Sequence, residues 1–227
     1  MDRPDNAPAE LEGALEDIRS VNRFLGGSRV LLDALRPRLA AAGKDRVTTI
    51  LDVGTGGADL PLELVAAARR IGRRVRIVAI DRDPVTVSYA RRRTEGVPEI
   101  DVVSGDARAL PYPDGAFDFV TASLFLHHFT HDEAVPLVAE FRRIARRAVL
   151  VNDLERHVLP WAFISLMARI TRRHPMFIHD APLSVLRGFT EAELRKIATE
   201  SGAPGATVER AWIYRFLMTV PAARSAS

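Results

Sequence analysis

The stretch Ile50-Leu51-Asp52-Val53-Gly54-Thr55-Gly56-Gly57-Ala58-Asp59-Leu60-Pro61 most constrains what this chain can fold into. It reads as a short apolar strand ending in an acid and a glycine cluster, followed at once by a helix. Glycines at these positions let the backbone take positive φ and present no Cβ, so a bound molecule can approach the main chain closely. The amides that open the next helix add a polar docking surface. A glycine-rich β-to-α turn is also simply a tight chain reversal, so this stretch alone fixes the turn and not its use.

Two further strands end in the same way. Residues 75–80 form an apolar run closed by Asp81 with Asp83-Pro84 behind it, and residues 100–103 lead to Gly105-Asp106-Ala107. In an open parallel sheet ligands bind outside the carboxyl ends of the strands, so Asp52, Asp81 and Asp106 are expected to converge on one crevice. A carboxylate after the second strand suits the two hydroxyls of a ribose.

These motifs, with Phe117-Asp118-Phe119-Val120 leading to Leu126-His127-His128-Phe129, resemble the class I S-adenosylmethionine-dependent methyltransferases. The resemblance is to the branch that includes the ubiquinone-biosynthesis enzymes and many small natural-product methyltransferases, and it covers roughly residues 15 to 220. Further marks are Ala79-Ile80-Asp81 and the run from Gly105 through Arg108-Ala109-Leu110-Pro111-Tyr112-Pro113-Asp114. Ala58 departs from the pattern, since many members carry another glycine there. The implied fold is α/β, a Rossmann-like class I methyltransferase sheet with N-terminal helices and a helical lid insertion after strand five.

The order of elements agrees. Residues 1–10 are expected to be a disordered tail, 11–45 an N-terminal helical cap, 46–220 the methyltransferase domain with a lid at about 154–188, and 221–227 a tail. Apolar residues spaced three and four apart predict one helix over 11–25, closed by Gly26-Gly27, and another over 28–41. These two segments suit either a cover over a cofactor or a packing pair on the sheet. Alternating helices (60–71, 84–93, 132–145) and strands (116–122, 148–151) imply parallel, right-handed crossovers. Pro84 fits a first helical turn. The run 158–167 is apolar nearly all round but too short to cross a bilayer, which suits a lid or a buried helix. Thr190-Glu191-Ala192-Glu193 carries a capping-box pattern, and residues 208–212 and 216–220 read as two closing antiparallel strands.

Composition narrows the class. At 227 residues, 47% of them hydrophobic, one catalytic domain with additions is the simplest account. Without cysteine there are no disulfides or thiolate metal sites, and with no basic-then-apolar leader a soluble cytoplasmic protein is expected. The net charge is +3 and almost all cations are arginines, Lys44 and Lys196 being the only lysines. The arginine doublets are spread along the chain near helix ends, where cations complement the macrodipole, so no nucleic-acid partner is expected. An apolar small molecule is the expected partner, with the protein a monomer or homodimer.

A dinucleotide-dependent oxidoreductase is the rival reading, because an acid beyond a glycine loop also suits NAD. Against it, Asp59 stands where G-x-G-x-x-G needs its last glycine, and Asp106 supplies a further acid. By resemblance, Gly54 and Gly56 would lie against the methionine moiety of S-adenosylmethionine, and Asp52 belongs to the same cofactor set. Asp81 would hold the ribose, Asp106 and the amide of Ala107 would read adenine, Arg82 could lie along the adenine face, and Ser123 would sit near the amino acid end. For the chemistry, His128 is the first choice of base and His127 the second, because both follow strand four at the cleft. No metal is expected; Asn152-Asp153 offers oxygen donors but lacks a further acid cluster beside it, and reads as a turn whose Asn and Asp bond the local backbone. The expected reaction is O-methylation of a phenolic or polyketide-type hydroxyl, with C-methylation of a quinol-like ring as the alternative.

Overall fold

The computed structural model describes residues 27–157, 186–211 and 214–223. In chain order the elements are α1 (Arg29–Ala40), β1 (Val47–Val53), α2 (Asp59–Arg70), β2 (Arg74–Asp81), α3 (Pro84–Arg93), β3 (Ile100–Ser104), β4 (Phe117–Ser123), a 3-10 turn (Leu126–His128), α4 (His131–Ile144), β5 (Ala145–Leu154), α5 (Glu191–Glu200), β6 (Thr207–Ala211) and β7 (Arg215–Pro221). The strands form one sheet in the order β3-β2-β1-β4-β5-β7-β6. β1 pairs in parallel with both β2 and β4, so the order reverses beside β1 and a crevice opens there at the carboxyl edge. β7 runs antiparallel to both β5 and β6, as the closing-strand pattern implied.

Two apolar layers sandwich the sheet. One joins α1, α2 and α3 through Leu31, Leu35, Leu39, Leu64 and Ala90 to Ile50, Ile77 and Phe119. The other joins α4 and α5 through Leu137, Phe141, Leu194 and Ile197 to Leu51, Val120, Val149 and Phe216. Successive strand residues thus serve opposite layers, which explains why the parallel strands read as unbroken apolar runs rather than alternating ones.

Local chemistry sets the helix starts. Pro84 opens α3 and the Asp83 carboxylate accepts the Thr86 amide at 2.7 Å. The Glu193 carboxylate accepts the Thr190 amide at 2.8 Å, completing the expected capping box. A second box at Thr130 and Glu133, unread in the sequence, starts α4 one residue earlier than expected. β1 and β5 are longer than their apolar runs because polar and charged residues continue the pairing, and Asn152 and Asp153 lie inside β5 rather than in a turn.

α1 is a packing helix, with Leu31, Leu35 and Leu39 fully buried. Just before its start, the Gly27 carbonyl accepts the Asn152 side-chain amide at 2.8 Å, which ties this end of the helix to the carboxyl edge of the sheet. The predicted helix over 11–25 and the apolar run 158–167 lie outside the described residues. Among the described residues no helix is long and apolar enough to cross a membrane.

Many arginines hold carboxylates: Arg69 pairs with Glu99, Arg76 with Asp101, and Arg143 with Asp114 and Glu140. The buried member of this set is Asp118, which takes Arg46 at 2.6 Å, Arg146 at 3.3 Å and the Thr49 amide at 3.1 Å. Asp118→Ala should therefore lower unfolding free energy by about 2 kcal/mol, because the part-buried Thr49 amide loses its acceptor. Asp118→Asn should lose about half as much, since it keeps an oxygen for Thr49 while only part-exposed arginines lose their charge partner. Urea denaturation of the two variants measures both.

Candidate active site

The site begins with the satisfaction of loop amides. After β1, the amides of Gly54 and Thr55 donate to the Ile80 carbonyl at 2.9 and 3.0 Å, and the Gly56 amide donates to Asp81 Oδ2 at 3.0 Å. After β3, the Gly105 amide donates to the Asp81 carbonyl at 3.0 Å. The ends of β1, β2 and β3 are thereby stitched into one edge, and Asp81 and Asp106 stand half-buried along it. Asp81 Oδ1 also accepts the Asp83 amide at 3.1 Å, and Asp106 accepts the Arg108 amide at 2.9 Å. Burial raises the Asp81 pKa above the ordinary carboxylate range despite these bonds, with Asp83 adding to the rise.

The glycines differ in what demands them. Gly54 has φ +67°, and a Cβ there would lie 2.2 Å from Cδ2 of Phe125, whose ring covers this part of the loop. Gly56 has φ +54°, and nothing lies within 4 Å of where its Cβ would be. The first glycine is required by packing, while the second opens on space beside Asp81, the arrangement a ligand cradle needs. Ala58, where the pattern departs from glycine, takes a left-handed φ of 57° at the start of α2.

Asp52 stands apart from the other two acids. Only 2% exposed, it takes Thr55 Oγ1 on one oxygen and Thr121 Oγ1 on the other, each at 2.8 Å. It thus braces the loop from beneath instead of lining the crevice, a correction to the expected convergence of three acids. Of the remaining candidates, Arg82 is exposed and Ala107 buried. Ser123, at the end of β4, accepts the Asn152 side-chain amide at 3.1 Å.

The histidines part company. His127 is buried, with Nδ1 2.7 Å from Asp153 Oδ1 and its amide donating to Asp153 Oδ2 at 3.0 Å. His128, next on the 3-10 turn, is exposed, its ring 4.3 Å from that of His127. Asp153 is 1% exposed. Burial pushes its pKa up, but the charge of His127 and the hydrogen bonds from that ring and from the amides of Leu154 and His127 pull it below the ordinary range.

Residues 50–148 match the family model of a methyltransferase domain. The chain is 34% identical over 199 residues to an uncharacterized 37.1 kDa protein in transposon TN4556 of Streptomyces fradiae, covering 86% of this chain and 52% of that one. It is 35% identical over 107 residues to the demethylmenaquinone methyltransferase of Bacillus licheniformis, covering 47% of this chain and 44% of that one. A methyltransferase structure from Aquifex aeolicus superposes with a TM-score of 0.59 at 18% identity, over 96% of this chain and all of the other. The SAH-bound magnesium protoporphyrin IX methyltransferase of Synechocystis superposes at 0.61 and 17% identity, over 89% and 87% of the two chains. The fold is that of the class I S-adenosylmethionine-dependent methyltransferases, and residues 50–148 match a methyltransferase domain within it. The stretches the chain shares with the Streptomyces and Bacillus relatives span about half of their length.

Several residues of this site escaped sequence reasoning. Thr55 and Thr121 hold Asp52, Phe125 closes on Gly54, and Asp153 orients His127. Arg215, at the start of β7, is 2% exposed. A signal existed for Asp153 alone, in the polar pair that interrupts an apolar strand just as it reaches the crevice.

Asp52 gives the site a measurable pH signature. Burial outweighs its two hydroxyl hydrogen bonds and, with the Asp81 charge adding, pushes its pKa up to about 6. The folded protein then keeps this proton to a higher pH than the unfolded chain does. The stabilising contribution is therefore present below about pH 4, is lost between about pH 4 and 6, and amounts to about 3 kcal/mol. Asp52→Asn removes the titration, so its stability relative to wild type should climb from pH 4 to 6.5 and then level off. Urea melts at pH 4.5, 5.5 and 7 test this, and a pH-independent difference would refute the assignment.

Proposed function

We propose that this methyltransferase methylates an acidic hydroxyl on an apolar small molecule, with His127 removing the proton and Asp153 holding the imidazole. The observation that carries this reading is the buried 2.7 Å contact between His127 Nδ1 and Asp153, at the carboxyl ends of β4 and β5. An imidazole held through Nδ1 by a carboxylate has its tautomer set, leaving Nε2 as the basic atom. Sequence order alone favoured His128; burial and the carboxylate partner favour His127.

The cradle fits S-adenosylmethionine, for Gly56 opens on free space beside an acid already oriented by two amides. When bound, the cofactor supplies an electrophilic methyl group on a sulfonium. In our reading Asp81 accepts from the ribose hydroxyls, Asp106 and the Ala107 amide face the adenine, and Gly54, Gly56 and Ser123 flank the methionine end. Arg82 lies alongside, and Asp52 acts through the loop it braces. Nε2 of His127 would take the proton that the acceptor's hydroxyl gives up, and Asp153 would hold the imidazolium that results, while the cofactor would supply the methyl group to the acceptor oxygen and be left as the neutral thioether. Positioning and exclusion of water supply the remainder of the acceleration.

A second reading draws on the names of relatives, among them demethylmenaquinone methyltransferases. Loss of a phenolic proton to the same histidine would raise the nucleophilicity of a ring carbon, so one base serves O- or C-methylation of a quinol-like ring. In the carbon case the ring carbon must then lose its own proton as aromaticity returns, and His127 would hand its proton back to the phenolate oxygen.

Incubating cell extract with the protein and methyl-labelled cofactor, then searching by mass spectrometry for a gain of one methyl group, identifies the acceptor. On it, His127→Gln should cut turnover by about a hundredfold with binding of S-adenosylhomocysteine intact, while His128→Gln stays within about threefold of wild type. The reverse order would transfer the role to His128, and two active variants would end the histidine-base reading. Asp81→Ala should weaken S-adenosylhomocysteine binding by about 1.5 to 3 kcal/mol in calorimetry.

A further inference from the structure

Two buried polar atoms at the carboxyl edge, Asn152 Oδ1 and Arg215 Nη1, have no hydrogen-bond partner among the described residues. In the antiparallel pairing of β5 with β7, Asn152 faces Leu217 and Leu154 faces Arg215. Side chains two apart on a strand share a face, so Arg215 and Asn152 are diagonal neighbours on one side of the sheet. Asn152 is already committed through its amide to Ser123 and Gly27, which leaves only its acceptor oxygen. Asp153, on the next residue, spends its oxygens on His127 and its own strand.

A guanidinium in this position is an unbalanced charge. Burial lowers the Arg215 pKa to about 10, with Asp153 only partly countering the shift. Leaving a buried donor unpaired is costly, and the cost disappears when an anion arrives with the right geometry. Tyr214, immediately before it, takes a left-handed φ of 52°, a strained conformation at the point where the chain turns into β7. The strand order β1-β4-β5-β7 sets the start of β7 about 14 Å from the glycine loop, and strand alternation puts Arg215 and Asn152 on the face opposite Asp153 and His127, at the same carboxyl edge.

We propose that Arg215 is the anion anchor of the acceptor pocket, pairing with a carboxylate on the methyl acceptor, while Asn152 Oδ1 accepts a hydrogen bond from the same molecule. The inference rests on the methyltransferase reading above and deepens it: the acceptor is an apolar molecule that carries a carboxylate as well as the group to be methylated. Its carboxylate is held at the start of β7 and the rest of the molecule reaches over the carboxyl edge toward His127, so Arg215 is a specificity-determining residue.

The test uses the whole chain saturated with S-adenosylhomocysteine, and 2-naphthoate and 2-naphthamide as probes that differ chiefly in charge. Wild type should bind the carboxylate at least about tenfold more tightly than the amide, a preference that Arg215→Met abolishes and Arg215→Lys partly keeps. Equal binding of the two probes by wild type overturns the proposal, and so does an Arg215→Met protein that folds and still prefers the carboxylate. If Arg215→Met fails to fold, the wild-type preference and the loss of it in Arg215→Gln decide. Should Arg215→Met lose affinity for S-adenosylhomocysteine by the same factor, the anchor belongs to the cofactor's own carboxylate and the proposal fails. Absence of S-adenosylhomocysteine binding in wild type would instead sink the underlying methyltransferase reading.

Discussion

The hydrogen bond from the Gly56 amide to Asp81 is the contact on which the remainder of the site depends. A loop that turns sharply between strand and helix strips its amides of regular partners, and buried amides without partners are rarely tolerated. Here β2 supplies them: its last carbonyls take Gly54, Thr55 and Gly105, and its terminal carboxylate takes Gly56. One strand end thus organises the loops on either side of it. Because Asp81 is held by the amides of Gly56 and Asp83, its orientation is set before any ligand arrives, which is the preorganisation that the proposed ribose contact would use.

Two buried acids illustrate how partners decide charge. Asp52 and Asp153 are equally hidden, yet their pKa values move in opposite directions. Asp52 has only the neutral hydroxyls of Thr55 and Thr121 as hydrogen-bond partners, so desolvation prevails, the Asp81 charge adds to it, and the proton is held more tightly. Asp153 meets an imidazole and two amides, so the ionised form prevails. The fold therefore separates a loop brace from an imidazole partner with the same side chain, one on β1 and the other on β5. Divergent environments of this kind are what a site needs when one acid must stay quiet and another must hold a cation that forms during reaction.

The sheet was legible in the sequence because parallel strands buried on both faces leave unbroken apolar runs, and because Gly54, Asp81 and Gly105 mark where those runs end. The start of α3 was legible from Asp83-Pro84 and that of α5 from Thr190 and Glu193, since capping is local chemistry. What could not be read depends on contacts distant in the chain. Thr121 lies 69 residues from Asp52, and Asp153 lies 26 from His127. Neither distance leaves a periodic trace. His127 and His128 are indistinguishable by position, and only the tight 3-10 turn, which buries one ring and exposes the other, separates them. Asn152 and Asp153 read as a turn because polar residues seldom continue a central strand; β5 continues through them because Ser123 and His127 meet their side chains.

Strain is distributed in the same way as chemistry. Among the described residues the only non-glycine positions with positive φ are Ala58, Leu124 and Tyr214. They follow β1, follow β4 and precede the antiparallel β7, so all three lie at the carboxyl edge. Each left-handed residue opposes folding by about 1 kcal/mol or more, and such conformations persist only where the surroundings enforce them. The enforcement is visible at Leu124, whose amide donates to the Asn152 carbonyl at 2.8 Å and so turns the chain toward Phe125 and His127. A relaxed turn there would carry both side chains away from the glycine loop. The core layers, whose large side chains are fully buried, stabilise the fold enough to hold these three turns in place. The strained edge can therefore hold an oriented acid at the end of β2 and a fixed imidazole beside the end of β5.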